Sequence, residues 1–265
     1  MRQYVLKEFP DKKGLVEIAE KDYRYFKQVL RLSTGDMVFL RLPDGKLQNS
    51  TVAKIDEKQK KMILQICSTE QKNAENQSDY KNKTEYFLFQ FVAKGSKMEL
   101  IFRQATECGV TKIIPVIGEF CEKGSSEKNF LSERNHKIIK EALQQSGSPV
   151  QTEIGRTLSL KEALNFWKEE CADEENCVAF VLWERNENTK FAHEALKQFN
   201  EIKKCAIFCG AEGGISEKEI DEMFKNKIIP VHFSTNILRC ETAALYGIAS
   251  FQTLIEEKQL WQQKL

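Results

Sequence analysis

Hydrophobic positions along the chain change their period once, near residue 84. Before that point the apolar runs are short and broken by turn signals. Residues 37–42 are followed by Pro43-Asp44-Gly45, residues 49–55 resume an extended pattern, and residues 61–67 repeat it with period two. Short extended runs with a Pro-Asp-Gly break predict strands joined by tight turns. Within residues 21–30, Tyr23, Phe26, Val29 and Leu30 fall at helical spacing, and Ser33-Thr34-Gly35-Asp36 closes the patch. Several short strands with one helix predict a small β-barrel over residues 1–70. Residues 71–83, QKNAENQSDYKNK, hold almost nothing apolar and read as a linker.

From residue 84 the texture is different. Residues 85–92, EYFLFQFV, form a near-continuous apolar run of the kind that a strand buried on both faces requires. Apolar runs at 112–117, 178–183, 205–209 and 228–233 follow, with helical patterns between them. Ser96 with Glu99, Ser159 with Glu162 and Ser216 with Glu219 each have the spacing of a capping box, so three helices are expected to start there. The first should run to about Glu107 and stop at Gly109. Ser132 should open another that reaches Gln145 and stops at Gly147 and Pro149. Residues 191–199 predict a further helix, and residues 241–258 the last one. Strand–helix alternation over residues 84–265 predicts an α/β domain with a mainly parallel sheet.

Charge adds one asymmetry. Residues 1–83 carry 17 Lys and Arg against 12 Asp and Glu, whereas residues 84–265 carry 23 against 27. The basic half is therefore the small β-domain, the expected side for a polyanion partner. No apolar run approaches the roughly 20 residues of a membrane span, and the first residues, MRQYVLKEFPDKK, lack an apolar export core. A cytoplasmic location is expected. The eight cysteines include no C-x-x-C pair, and His136, His193 and His232 are scattered, so zinc-site spacing is absent and no metal is expected. Cys177, Cys205 and Cys209 sit in strand-like runs, where a reduced thiol serves as a small hydrophobe.

Candidate chemistry gathers in two turns that each follow an apolar run and precede a helical pattern. Gly210-Ala211-Glu212-Gly213-Gly214 is one, and residues 236–242, NILRCET, are the other. In open α/β sheets ligands bind at the carboxyl ends of strands, where both turns lie, as does Leu182-Trp183-Glu184. The glycine turn matches neither a dinucleotide fingerprint nor a phosphate loop. A carboxylate among glycine amides suits an amine, ribose hydroxyls or a cationic centre rather than a phosphate. The alternative is a tight turn that simply needs glycine. Arg239-Cys240-Glu241-Thr242 at the head of an apolar helix is expected to be buried, which is costly unless it serves a site. A local Arg239–Glu241 ion pair capping that helix is the competing possibility.

Together these residues resemble one family. Gly210-x-Glu212-Gly213-Gly214-x-Ser216, Glu219-Ile220 and Ile237-Leu238-Arg239-x-Glu241-Thr242-Ala243 are similar to the signature of the RsmE-type 16S rRNA uridine-N3 methyltransferases of the SPOUT superfamily. The likeness continues through Lys94-Gly95-x-Lys97-Met98-Glu99, Glu107-x-Gly109-Val110, Glu133-Arg134, Val29-Leu30-Arg31-Leu32 and Gly35-Asp36. The resemblance implies a catalytic α/β domain with a trefoil knot, an exception to the rule against knots. It also implies a PUA-like N-terminal barrel that engages ribosomal RNA, a homodimer, and S-adenosyl-L-methionine held by three loops. The implied cofactor residues are Leu182, Trp183, Glu184, Gly210, Glu212, Gly213, Gly214, Thr235, Ile237, Leu238, Arg239 and Thr242. Arg239 and Glu241 are the implied catalytic pair, the first for charge and the second as proton acceptor. Arg2, Arg24, Arg31, Lys94, Lys97 and Arg134 are the implied RNA contacts. The chain departs from the pattern at Ala211, where the family has proline. It departs also at Phe120-Cys121, at residues 144–148 and at Tyr25, where arginines and a histidine are usual. Two competing outcomes are a cofactor-binding homologue that holds RNA without methylating it, and a methyltransferase of the same fold acting on another RNA.

Overall fold

The computed structural model describes residues 3–67, 84–122, 124, 130–185 and 189–262. The expected linker at 71–83 and Arg2 lie outside the described residues. By internal packing the chain divides into two compact units, 1–78 with 143–151, and 79–142 with 152–265.

In the first unit the order is β1 (Gln3–Val5), β2 (Leu15–Ala19), α1 (Glu20–Arg24), a π-helical turn (Tyr25–Val29), β3 (Met37–Arg41), β4 (Leu47–Asp56) and β5 (Lys61–Ile66). The five strands form one sheet in the order β1-β3-β4-β5-β2, antiparallel except for β1 beside β3. The sheet curls, because residues of both edge strands share one core. Tyr4 of β1 and Ile18 of β2 pack with Phe26, Leu40, Val52, Met62 and Leu64. The period-two pattern thus points one face of each strand at a single cluster. The helical patch at 21–30 is realised as one α turn followed by the π turn, which buries Tyr23 and Phe26 but leaves Val29 exposed.

A segment distant in sequence completes this unit. Gln3 Nε2 donates to the carbonyls of Leu143 (2.9 Å) and Ser148 (3.0 Å), and its Oε1 accepts from Arg41 Nε at 2.8 Å. Ser148 is buried and Tyr25 packs against the small core. Ser148 is thus withdrawn from solvent, while Tyr25 is half-buried.

The second unit runs β6 (Glu85–Phe91), α2 (Lys97–Glu107), β7 (Lys112–Ile117), α3 (Glu133–Ser146, its last turn belonging to the first unit), β8 (Glu153–Ile154), β9 (Leu158–Ser159) and α4 (Leu160–Glu170). Then follow β10 (Cys177–Leu182), β11 (Lys190–Phe191), α5 (Ala192–Leu196), β12 (Lys204–Cys209), α6 (Glu217–Lys225), β13 (Ile229–His232) and α7 (Cys240–Gln262). The sheet has the order β11-β13-β10-β12-β6-β7-β8, with β9 also on β7, and every pairing is parallel.

The continuous apolar run becomes β6, central and flanked by β12 and β7, with all but its first residue buried. Phe87, Phe89 and Phe91 face one layer, where α4 and α6 contribute Trp167 and Met223. Phe89 stacks on Phe208 at 4.3 Å. On the opposite face Phe180 of β10 stacks on Phe251 of α7 at 4.2 Å. Truncating one such buried ring costs about 3–5 kcal/mol. All eight cysteines are free thiols. Among the described residues no helix is long and apolar enough to cross a membrane.

Two capping boxes form as expected, at Ser159–Glu162 and Ser216–Glu219. The third does not. Ser96 has helical dihedrals (φ −77°, ψ −1°) rather than the extended ones of Ser159 and Ser216, so its side chain caps nothing, and Glu99 pairs instead with Arg134, whose Nε lies 2.7 Å from Oε1. The helix expected over 191–199 is shorter, α5 ending at Leu196.

Candidate active site

Three strand ends of the second unit converge on a cavity of about 400 Å³, within the range of small-molecule sites. Leu182 ends β10 and Glu184 follows it, Cys209 ends β12 and residues 210–215 follow it, and Ile237, Leu238 and Arg239 lead into α7, which adds Cys240 and Ala243. Lys97 of α2 completes the wall.

The glycine loop is held tightly. Gly214 N donates to Ala211 O at 2.9 Å, and the two residues form an isolated antiparallel bridge. Gly214 has φ +77°, a conformation that other residues rarely adopt. A Cβ on Gly213 would stand 2.7 Å from Phe120 Cβ, so this position has no room for a side chain. Ala211, where the resemblance expects proline, is buried in the large core. Ser216 caps α6 immediately afterwards, and the Oε1 of its partner Glu219 accepts from Glu119 N at 2.8 Å. Beneath the loop, Gln90 of β6 is wholly buried. Its Nε2 donates to Phe91 O (2.9 Å), Gly210 O (3.1 Å) and Cys209 O (3.3 Å), while Oε1 has no partner. Gln90 was invisible as a site residue, since in the sequence it is one polar letter in an apolar strand.

The electrostatic centre is Glu212. Its Oε1 accepts from Lys94 N at 3.0 Å and lies 2.9 Å from Lys97 Nζ. Lys97 Nζ also lies 3.6 Å from Glu241 Oε2. Partial burial pushes the Glu212 carboxyl up, but the Lys97 ammonium and the Lys94 amide outweigh it and the net shift is downward. Hydrogen bonding to Glu212 raises Lys97. Glu241 is lowered, first by its own backbone amide at the helix start, with the Cys240 thiol and Lys97 adding to the effect. Burial and the hydrogen bond to Glu241 push the Cys240 thiol up to about 12, so it stays protonated. A carboxylate held low and ion-paired is a poor proton acceptor, which counts against that role for Glu241.

Of the implied cofactor residues, Leu182, Glu184, Gly210, Glu212, Gly213, Gly214, Ile237, Leu238 and Arg239 are brought together here. Trp183 is not, and packs against the large core with Arg185 over its ring at 5.5 Å. Thr235 lines a neighbouring cavity with Phe191, His232, Phe233 and Tyr246. Thr242 points to solvent. The expectation that Arg239 is buried is wrong: α7 begins at Cys240, and Arg239 is exposed just outside it. No Arg239–Glu241 ion pair caps the helix among the described residues; Glu241 faces Lys97 instead. Among the implied RNA contacts, Arg24, Arg31 and Lys94 are exposed, Arg134 is exposed but paired with Glu99, and Lys97 is committed to the cavity. Phe120, 48% exposed, stands beside Gly213, while Cys121 packs on the core.

Comparison with known proteins gives a consistent picture. The family model described as an RNA methyltransferase domain matches residues 80–252. The ribosomal RNA small subunit methyltransferase E 2 of Borreliella burgdorferi is 29% identical over 248 residues, 89% of this chain and 90% of that protein. The ribosomal RNA small subunit methyltransferase E of Bacillus subtilis is 25% identical over 247 residues, 89% of this chain and 90% of that one. Among solved structures, ribosomal RNA small subunit methyltransferase E from Neisseria gonorrhoeae, bound to S-adenosyl methionine, superposes with a TM-score of 0.76 at 22% identity. That superposition covers 96% of this chain and 98% of the other.

Proposed function

The chain belongs to the RsmE-type RNA methyltransferase domain family, and on that premise we propose that it methylates N3 of a uridine in small-subunit ribosomal RNA. The observation that carries this is the coincidence of the family match at 80–252 with one cavity that gathers the family's loops. The lining suits S-adenosyl-L-methionine. Leu182, Ile215, Ile237, Leu238 and Ala243 offer apolar faces to an adenine, the 210–214 backbone offers amides and carbonyls, and Glu184 and Glu212 suit hydroxyls and a cation. When bound, that cofactor supplies an electrophilic methyl group on a sulfonium, so the protein's work is placement more than activation.

On the RNA side the uracil N3–H bond would break as an N3–carbon bond forms, and the bound donor would keep the electron pair of its carbon–sulfur bond on sulfur. Loss of the N3 proton leaves negative charge shared with the ring carbonyls. Arg239, exposed at the mouth of the cavity and without an ion-pair partner among the described residues, is assigned to stabilise that charge. Glu241, committed to Lys97, is assigned to hold the site's shape, and the proton leaves to solvent. Arg24, Arg31, Lys94 and Arg134 are assigned to the RNA backbone, which fixes register rather than sequence. The knotted path and the homodimer belong to the same proposal.

The test is mass spectrometry of nucleosides from small-subunit rRNA of cells with and without the gene. Loss of 3-methyluridine on deletion is expected, and an unchanged level would overturn the reading. A second reading, methylation of a different RNA, is favoured by Phe120. An exposed aromatic ring stands beside Gly213 where the family resemblance leads one to expect arginine. Loss of a methyl group from another RNA in the same comparison would select it.

A further inference from the structure

Lys97 is the first residue of α2, yet its side chain leaves that helix to meet loops carried by two other strands. Its Nζ reaches Glu212 after β12 at 2.9 Å and Glu241 at the head of α7 at 3.6 Å. The side chain keeps only 33% of its exposure, and those of Glu212 and Glu241 keep 27% and 14%. One cation therefore ties the heads of α2 and α7 to the β12–α6 loop. Lys94 N and Lys97 Nζ both engage Glu212 Oε1, and Glu212's own amide holds the same carboxylate. The carboxylate is thus fixed in direction in the wall of the cavity.

We propose that Lys97 is a positioning residue of the methyl-donor site: its ammonium clamps Glu212 to Glu241, joining the heads of α2 and α7 to the β12–α6 loop, and so aims the Glu212 carboxylate at the ligand. The proposal rests on reading this cavity as the methyl-donor pocket. It moves Lys97 from the set of RNA-phosphate contacts to the cofactor side. Without the ammonium, Glu212 and Glu241 would keep only backbone amides, the Cys240 thiol and the exposed Arg239 against their charge, and like charges in a partly buried site repel. The glycine loop would then lose the side-chain anchor that sets the direction of its carboxylate.

Calorimetric titration of the full chain with S-adenosylmethionine tests this, using Lys97→Met, Lys97→Arg, Glu212→Gln and the Lys97→Met/Glu212→Gln double variant. Loss of a charge-assisted contact is expected to weaken donor binding about 10- to 100-fold in Lys97→Met. Lys97→Arg should restore affinity to within about threefold, as a clamp of like charge would. The double variant should bind no more weakly than the weaker single one, because both remove the same interaction. In Lys97→Met the loss should fall on donor KM more than on RNA affinity, the split that a donor-positioning role requires. If Lys97→Met fails to fold, Lys97→Gln, which keeps most of the stem and a donor but not the charge, takes its place. Unchanged donor affinity, additive losses in the cycle, or weakened RNA binding with donor affinity intact would each overturn the proposal. Failure of the unsubstituted protein to bind the donor would overturn the pocket reading itself, before any substitution is compared.

Discussion

The two loops that face each other across the cavity are built on opposite plans. The 210–214 loop is fixed from every side: Gln90 holds its first carbonyls, Phe120 closes over Gly213, and Lys97 and Lys94 hold Glu212. The 234–239 loop is open. Residues 234–237 and Arg239 are exposed, and Ile237 keeps 85% of its surface. One wall is formed before any ligand arrives, while the other offers an apolar side chain and a guanidinium that only a ligand would cover. A substitution in the first should therefore cost stability and binding together, and one in the second should cost binding alone.

Gly213→Ala is the largest expected break. The added Cβ meets Phe120 Cβ, so donor affinity should fall at least about 100-fold and the melting temperature should drop, in keeping with the roughly 1–3 kcal/mol cost of overpacking. Phe120→Gly in the same chain removes the opposing atom and should recover part of the loss; no recovery in calorimetry would show that the contact is not the cause. Next comes Gln90→Leu, which removes a donor shared by three carbonyls. About 1–3 kcal/mol of stability should go with it, read by denaturant unfolding, with a smaller loss of affinity. Ile237→Ser should leave the unfolding midpoint unchanged and weaken donor binding about tenfold, since a large apolar side chain contributes about 1.5–3 kcal/mol only when it becomes buried. An equal loss of stability would contradict the division between the loops.

The smallest effect is that of pH. Glu212 and Glu241 are lowered in the folded protein from the ordinary value of 4.5, so their contribution is present above 4.5 and is lost as pH falls through the lower folded value. Lys97 is raised from 10.5, so its contribution is present below 10.5 and disappears only as pH rises through the higher folded value. Donor affinity should therefore be flat through neutrality and decline in acid below the ordinary carboxylate range. A midpoint near neutrality would mean that some other group governs the site.

What the sequence revealed follows from how far each signal reaches. The apolar run of β6 and the capping boxes at Ser159 and Ser216 were legible because their causes lie within a few residues. Ser96–Glu99 has the same spacing and fails, because the backbone at Ser96 is already helical, and Glu99 pairs with Arg134, 35 residues away. Arg239 was misjudged as buried from the apolar letters after it; α7 starts at Cys240, one residue before the expected 241, and still leaves Arg239 exposed. The convergence of residues 182–184, 210–214 and 237–239 was reached through the family resemblance, and nine of the twelve implied residues line the cavity. Lys97 and Gln90 could not be read as members of the site, since their partners lie more than 100 residues away. Nor did the polar stretch at 143–151 reveal that it packs with the first unit.

The central claim is that these three loops form a methyl-donor pocket, and the most direct test is a crystal structure grown with saturating S-adenosylmethionine. Density is expected between Leu182–Glu184, Gly210–Gly214 and Ile237–Arg239, with Glu212 still on Lys97 and the 234–239 loop closed over the ligand. Density elsewhere, or none at saturation, would contradict it.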